Sequence, residues 1–329
     1  MREPAFWWRP GAMPAGLLAP LAAAYGAVAG WRMAQPGRAA GIPVLCIGNL
    51  TVGGAGKTPT AMAVAKLLLV AGKLPFFLSR GYGGSLRGPV QVDRAAHGAA
   101  DVGDEPLLLA RIAPAIVARD RVAGAADARA AGAGVIVMDD GLQNPSLAKD
   151  LSIVVVDGRR GIGNGKVLPA GPLRAPLQAQ LACAHALLVI GEPSGAASVL
   201  SAAPALPLFH GRLEPNARTL ELLQGRKVLA FAGIGDPEKF FMTLESAGVD
   251  VQARQAFPDH HRYSRLEAAD LIARAEREGL VLVTTEKDQA RLAGADDLRA
   301  LAGVARALPI ELVLTEADAF RQFVLARAG

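Results

Sequence analysis

"GNLTVGGAGKTPT", residues 48–60, follows directly on the apolar run "IPVLCI" of residues 42–47. A phosphate-binding loop has the form G-x-x-x-x-G-K-[ST] between a strand and a helix. Gly56, Lys57 and Thr58 supply its end, but the first glycine would fall on Thr51. Thr51 can stand there if the chain needs no positive φ at that point. Gly53, Gly54 and Gly56, with Val52 and Ala55 between them, let backbone N–H groups turn toward an anion, and the following helix adds its N-terminal dipole. Lys57 can then reach the β- and γ-phosphates, and Thr58 can ligate Mg²⁺. The fallback reading is a glycine-rich turn with an incidental lysine.

Working outward, apolar strands alternate with helical stretches. "IPVLCIGN" reads as a strand, 58–71 as a helix and "LPFFLS" as a strand. A helix from about 105 precedes "AIVA", and 121–131 reads as a helix. "GVIVMDD", "LSIVVVDG" and "HALLVIG" read as strands. Near-continuous apolar strands separated by helices predict a parallel sheet covered on both faces, an α/β, P-loop NTPase-like fold. After "LPLFHGRLEP" the pattern restarts with strand, turn and helix in "RKVLAFAGIGDPEKFFMTLESAGV" and a buried strand in "GLVLVTTEKD". The expected organisation is an N-terminal segment over 1–35, a P-loop domain over 36–212 and a smaller α/β domain over 213–329.

A P-loop enzyme also needs a carboxylate at the end of a neighbouring strand. "VIVMDDG" offers Asp139 and Asp140 in that position, the alternative being an ordinary strand-end turn. In "GDEP", Asp104 reads as a helix N-cap, with Glu105 and Pro106 in the first turn, or as a base for an attacking hydroxyl. Both can hold. "SRGYGG" presents Arg80 and Tyr82 on a turn, and "PAGPLR" presents Arg174 behind prolines. An arginine beside a γ-phosphate stabilises transferred charge, although an isolated arginine is more often a solvated surface group. "DHHRY" holds His260 and His261 with no spacing that suggests zinc. "AGIGDP" has only G-x-G and does not support a dinucleotide site.

Composition bounds the partners. The chain has 329 residues, 51% hydrophobic and 20% charged, enough for a real core, and its two cysteines, Cys46 and Cys183, fit a reducing compartment. The net charge of +5 is uneven: residues 1–92 carry +8 with one acid, Glu3, and the remainder −3. A basic first quarter suggests an anionic partner such as nucleotide, nucleic acid or lipid headgroups. From Pro10 to Trp31 no residue is charged, and Trp7, Trp8 and Trp31 flank the run beside Arg9 and Arg32. That pattern suits the membrane interface. Pro14, Pro20 and the many Gly and Ala weaken it as a span, so a monotopic anchor is expected. A signal peptide, or an Ala-rich helix packed on its own domain, is the rival reading.

Assembled in order, "GNLTVGGAGKTP", "SRGYGG", "VGDEPLLLA", "DDGLQ", "PAGPLR", "FAGIGDPEKFF", "FPDHHRY" and "TTEKD" resemble the tetraacyldisaccharide 4′-kinase family, the lipid A 4′-kinases of Gram-negative bacteria. The resemblance runs through nearly the whole chain, and Thr51 in place of glycine is normal for it. It implies ATP- and Mg²⁺-dependent phosphorylation of the 4′-hydroxyl of a tetraacylated glucosamine disaccharide 1-phosphate. The product would be lipid IVA, made by a peripheral or monotopic enzyme at the cytoplasmic face of the inner membrane, on a surface of anionic lipids and with no nucleic acid partner. By motif, Thr51–Thr58 would cradle ATP, and Lys57 and Thr58 would hold phosphate and metal. Asp139 would be the metal carboxylate, with Glu105 and Asp140 beside it. Asp104 and His260 would form a dyad in which the carboxylate takes the hydroxyl proton and the imidazole orients it. Arg174 would contact phosphate, and Arg80, Tyr82 and Gln143 would contact the substrate.

Two rivals carry different expectations. A P-loop ATPase or GTPase of the partitioning or metal-insertion type would put a lysine where Val52 stands, or an [NT]-K-x-D guanine motif, which "TTEKD" does not match. A non-enzymatic membrane-binding module would leave the P-loop and both acidic motifs unexplained.

Overall fold

A computed structural model describes residues 3–9 and 11–329; Pro10, the first residue of the uncharged run, lies outside them. The strands are β1 (Val44–Asn49), β2 (Pro75–Ser79), β3 (Val90–Gln91), β4 (Ala115–Val117), β5 (Val135–Asp139), β6 (Leu151–Asp157), β7 (Ala186–Ile190), β8 (Leu208–Pro215), β9 (Lys227–Ala232), β10 (Asp250–Ala256), β11 (Val281–Thr285), β12 (Arg306–Leu308) and β13 (Ile310–Leu314). A nine-stranded sheet runs β13-β8-β7-β6-β1-β5-β2-β4-β3. It is parallel except where β3 pairs with β4 and β13 with β8.

Every residue of β1, β2, β4, β5 and β7 is buried, because helices cover both faces and leave no solvated side. Alternate residues of β1 serve opposite cores. Leu45 and Ile47 join Val64 and Leu68 of the helix Lys57–Val70. Val44 and Cys46 join Ala125 and Ala128 of the helix Arg121–Ala130. β1 lies between β5 and β6, with the later strands β6, β7 and β8 on one side and β5, β2 and β4 on the other. The crevice at such a reversal, beyond the carboxyl ends of the strands, is where open α/β sheets bind ligands. The glycine-rich loop leaves β1 there, and Asp139 ends the adjacent β5 in register with Ile47.

A second, parallel sheet runs β10-β9-β11-β12, within the stretch expected to form a smaller unit. That stretch does not stay together. β13 returns to the large sheet on β8, and the helix Ala317–Leu325 carries Phe320 edge-on against Phe209 at 5.1 Å. The sequence pattern missed β13 because its burial is only intermittent.

The N-terminal segment forms a 3-10 turn (Ala5–Trp8) and the helices Met13–Leu17 and Ala19–Met33. Ala15, Ala22 and Met33 face inward, and a Cβ on Gly26 would sit 3.6 Å from Pro176. Met13, Leu17, Leu21, Val28 and Trp31, spaced by three, four or seven residues, are exposed. The tryptophans do not all flank an interface as expected. Trp7 is buried and donates its indole N–H to Pro169 O at 3.0 Å. Trp8 stacks under Arg160 at 3.9 Å. Only Trp31, 67% exposed, projects outward. No helix among the described residues is long and apolar enough to cross a membrane.

Gly103 caps the short helix Asp104–Leu109 at φ 89°, ψ 159°, a region only glycine adopts readily, and a Cβ there would meet Tyr82 O at 2.5 Å. Gly103→Ala is therefore expected to cost roughly 1–3 kcal/mol of stability and to displace Asp104. Chemical denaturation monitored by circular dichroism checks this, and an unchanged midpoint would show that the turn relaxes freely.

Candidate active site

The phosphate loop takes the expected form. Gly56 adopts φ 93° at the N-cap of the helix Lys57–Val70, which has no side-chain capping hydrogen bond. Thr51 is not strained: among the described residues only Asp140 and His260 are non-glycines at positive φ. Instead Thr51 forms an isolated antiparallel bridge with Leu173. Val52 N donates to Pro172 O at 2.9 Å, and Arg174 Nε donates to Thr51 O at 2.9 Å. The "PAGPLR" segment thus braces the loop from outside.

Lys57 Nζ lies 3.5 Å from Gly53 O and 3.8 Å from Asp140 Oδ2. Burial pushes its ammonium below the ordinary lysine range, against the pull of Asp140. Thr58 Oγ1 donates to Asp139 Oδ2 at 3.0 Å. Asp139 Oδ1 is buried with no hydrogen-bond partner. Burial, then repulsion from Glu105 and Asp140, raises the Asp139 carboxyl. Asp140 is differently placed: Arg174 Nη1 donates to it at 2.7 Å. Burial would push it up, but Lys57 and Arg174 outweigh that and hold it below the usual range.

Asp104, 4% exposed, sits in the first turn of its helix rather than at the N-cap, where Gly103 stands; its Oδ1 accepts from Glu105 N at 2.9 Å. His260 Nδ1 lies 3.5 Å from Asp104 Oδ2, so the two expected partners meet although 156 positions separate them in the numbering. His260 turns away from β9 at φ 55°, its N–H bonded to Gly233 O at 3.0 Å. Burial raises the Asp104 carboxyl, but the His260 bond and the charges of Lys287 and Arg291 more than reverse this, holding it far below the usual carboxylate range. The Asp104 bond raises the His260 imidazole above its ordinary value against partial burial.

Two cations here were not read from the sequence. Lys287 Nζ donates to Glu105 Oε1 at 2.6 Å, and Arg291 Nη2 donates to Asp104 Oδ2. They lie four apart on the helix Glu286–Ala293, on one face. That spacing was visible in "TTEKDQAR", but nothing in it said which acids the face would meet.

The remaining expectations divide. Tyr82, 66% exposed, holds its ring 5.3 Å from that of His260 at the mouth of the site. Arg80 is exposed two residues before it. Gln143 is placed as a brace: its amide nitrogen donates to Asn49 O and to Gln180 Oε1, both at 2.7 Å. His261 turns the other way, to Glu267 at 3.1 Å.

Among the described residues no three His, Cys, Asp or Glu side chains form a ready-made metal cage. A phosphate loop, an unpaired buried carboxylate and a carboxylate–imidazole pair make an arrangement suited to phosphoryl transfer onto a hydroxyl.

Comparison with known proteins agrees with that chemistry. The family model described as LpxK, tetraacyldisaccharide-1-P 4′-kinase, matches residues 14–329. The tetraacyldisaccharide 4′-kinase of Methylobacterium sp. (strain 4-46) is 59% identical over 322 residues, 97% of this chain and 95% of its own. That of Rhodopseudomonas palustris (strain BisB18) is 55% identical over 99% of this chain and 96% of its own. A crystal structure of LpxK from Aquifex aeolicus in complex with ATP superimposes with a TM-score of 0.75 at 27% identity, covering 96% of this chain and 99% of that one. The chain belongs to the tetraacyldisaccharide-1-P 4′-kinase family.

Proposed function

We propose that this protein transfers the γ-phosphate of ATP to the 4′-hydroxyl of a tetraacylated disaccharide 1-phosphate, forming lipid IVA at a membrane surface on the cytoplasmic side. The observation that carries the reading is the Asp104–His260 pair standing beside the phosphate loop. Glu105, next to Asp104, is close enough to act electrostatically on both Lys57 and Asp139. A partitioning or metal-insertion ATPase has no need of such a pair, since it has no acceptor hydroxyl to deprotonate.

ATP fits the loop Thr51–Thr58, with Lys57 and Arg174 placed to meet the charge on the transferred phosphoryl group. The orphaned oxygen of Asp139 and the mutual repulsion of Asp139, Asp140 and Glu105 fit a divalent cation. Thr58 and Asp139 would hold Mg²⁺, with Glu105 and Asp140 alongside, and the bound ion would neutralise charge on the β- and γ-phosphate oxygens. One or two carboxylates completed by phosphate and water is the usual Mg²⁺ arrangement, so the lack of a full protein cage is no obstacle.

The electrostatics favour His260 over Asp104 as the group that receives the hydroxyl proton, reversing the order expected from the motif. A carboxylate held far below its ordinary range is a weak base. An imidazole raised by that carboxylate is a stronger one, and lies nearer the working pH. In the tautomer with its proton on Nδ1, neutral His260 would donate to Asp104 and leave Nε2 to accept. The present 3.5 Å separation is long, as such contacts often are before substrate binds.

The lipid's four chains bring the enzyme to the bilayer: at ~0.8 kcal/mol per buried CH₂, full extraction would cost tens of kcal/mol. The exposed row Met13, Leu17, Leu21, Val28 and Trp31 supplies an apolar face, and the basic first quarter suits anionic headgroups.

Three outcomes are expected. Incubated with Mg-ATP and the disaccharide 1-phosphate in detergent, the protein should yield a 4′-phosphorylated product, and Lys57→Ala should lose most of that turnover while staying folded. Near-normal kcat in the variant would remove the loop from the mechanism.

Asp139→Asn should abolish turnover yet stabilise the ligand-free protein. A carboxyl raised in the fold favours its protonated form, so its ionisation costs stability that grows as pH rises from the unfolded-state value to the folded one. The variant should match wild type near pH 4 and exceed it at pH 8 by roughly 1–3 kcal/mol, the cost of an unsatisfied buried polar group. Thermal melts at both pH values, with and without Mg²⁺, decide this, and equal melts throughout would mean the carboxylate is compensated.

Replacing Leu17, Leu21, Val28 and Trp31 together by serine touches no buried contact. It should release the protein from anionic vesicles in flotation assays and depress turnover on lipid. Unchanged flotation would move membrane contact elsewhere.

A further inference from the structure

Arg291 has no part in the proposed phosphate or metal contacts, yet it is a guanidinium only 9% exposed in its side chain. Its Nη2 donates to Asp104 Oδ2 and lies 3.5 Å from His260 Nδ1. Its Nη1 donates to Asp288 Oδ1 at 2.8 Å and to Gly233 O at 2.7 Å. Gly233 O is the same carbonyl that accepts the backbone N–H of His260. One planar fork therefore grips both the carboxylate that the imidazole faces and the carbonyl that fixes the imidazole's backbone.

The far side of the fork is rigid. Asp288 is fully buried and accepts from Gly233 N at 3.1 Å, Tyr263 Oη at 2.9 Å and Thr285 Oγ1 at 2.6 Å. A Cβ on Gly233 would lie 2.9 Å from His261 Cβ and 3.0 Å from Asp288 Oδ1, so this corner has little room to shift. His260 itself is at positive φ, a conformation that a histidine keeps only when its surroundings impose it.

We propose that Arg291 is a positioning residue for phosphoryl transfer, clamping Asp104 and the Gly233 turn so that His260 presents Nε2 to the acceptor hydroxyl and releases its proton readily. The inference rests on the assignment of His260 as base. Arg291 Nη2–H donates to Asp104 Oδ2, which lies 3.5 Å from His260 Nδ1; with the ring proton on Nδ1 that oxygen takes both donors and Nε2 is left to accept. The guanidinium also stands against the imidazole as a like charge and opposes imidazolium formation. The groups facing His260 are Asp104, Asp259 at 3.9 Å from Nε2, Arg291 and the Tyr82 ring. Of these only Arg291 is cationic, so its removal leaves the imidazole facing two carboxylates and a neutral ring with no opposing charge.

The test uses the full chain with Mg-ATP and the disaccharide 1-phosphate in detergent, comparing wild type, Arg291→Met and Arg291→Lys. Arg291→Met should lose kcat on the order of 10²-fold, as expected for a misplaced reacting group, with the KM for ATP little changed. The acid limb of its pH–kcat profile should move up by about one unit, the scale of a lost neighbouring charge. The His260 resonance followed by NMR through pH 5–9 should shift in the same direction. Arg291→Lys keeps a charge but not the fork, so it should return the limb toward wild type while kcat stays between the other two. If Arg291→Met destabilises the fold below assay temperature, Arg291→Gln keeps a donor without the charge and should show the same limb and NMR shifts. A folded variant with lower kcat but an unmoved limb and unmoved His260 titration would make Arg291 a structural tie and overturn the inference, as would unchanged kcat. Failure of wild type to phosphorylate the lipid would instead sink the acceptor assignment, and the NMR titration would still decide the role of Arg291.

Discussion

A shortage of positive charge around Asp139 organises the site. Asp104, Asp140 and Glu105 each have a cation in contact: Arg291, Arg174 with Lys57, and Lys287 respectively. Among the described residues Asp139 has only the Thr58 hydroxyl, and its Oδ1 has no hydrogen-bond partner. Leaving a buried carboxylate so exposed to its neighbours costs stability. The cost becomes useful if a divalent ion and a polyphosphate arrive together. Such an ion would supply the missing charge at Asp139, and the phosphates would give Lys57 and Arg174 a partner other than Asp140. Ligand binding would then exchange one set of ion pairs for another instead of creating them from solvated groups.

The Asp104–His260 pair depends on a seam between the two sheets. Asp104 belongs to a helix packed on the large sheet, and His260 to a turn after β10 beside the small one. The helix Glu286–Ala293 sews them together. Arg111 pairs with Glu286 at 3.3 Å, Glu105 with Lys287 at 2.6 Å, and Asp104 with Arg291. At Gly98 and Gly294 a Cβ on the latter would lie 2.7 Å from Gly98 Cα, so the backbones nearly touch. Close approach of this kind fixes distances without needing long side chains, and the dyad gains its geometry from it.

Much of this was legible in the residues, for identifiable reasons. The strands β1, β2, β5, β6 and β7, buried throughout except for Asp157 at the end of β6, are near-continuous apolar runs, and continuity survives without tertiary information. The phosphate loop was legible because its chemistry is local: loop, lysine and threonine lie within eight residues. The pairing of Asp104 with His260 needed the family resemblance, because nothing in either short motif says that it will meet the other. Arg291 and Lys287 were invisible as site residues, since an i, i+4 pair of cations on a helix most often faces water. The bracing role of Gln143 was not legible, because its partners, Asn49 O and Gln180, come from other segments. β13 was lost because a half-exposed edge strand pairing antiparallel with β8 has no strong period.

The N-terminal segment is bound to the site by a short chain of contacts. Asn164 N donates to Trp7 O at 2.7 Å, and Trp7 donates to Pro169 O. Glu3 pairs with Arg160 at 2.6 Å and lies so near the loop that a Cβ on Gly53 would meet its carboxylate at 2.3 Å. Three residues beyond Pro169, Pro172 O receives Val52 N, and then Arg174 holds both Thr51 O and Asp140. Residues 164–174 therefore connect the helical segment that presents the exposed apolar row to the loop that would carry ATP. A flexible tether would only raise local concentration at a surface. A braced one would also set the height and tilt of the phosphate loop above such a surface, and a lipid whose chains stay in the bilayer can offer its sugar hydroxyl only within a narrow range of heights. Spending Trp7 and Trp8 on the brace, with only Trp31 left facing outward, is consistent with orientation being worth more to such an enzyme than adhesion.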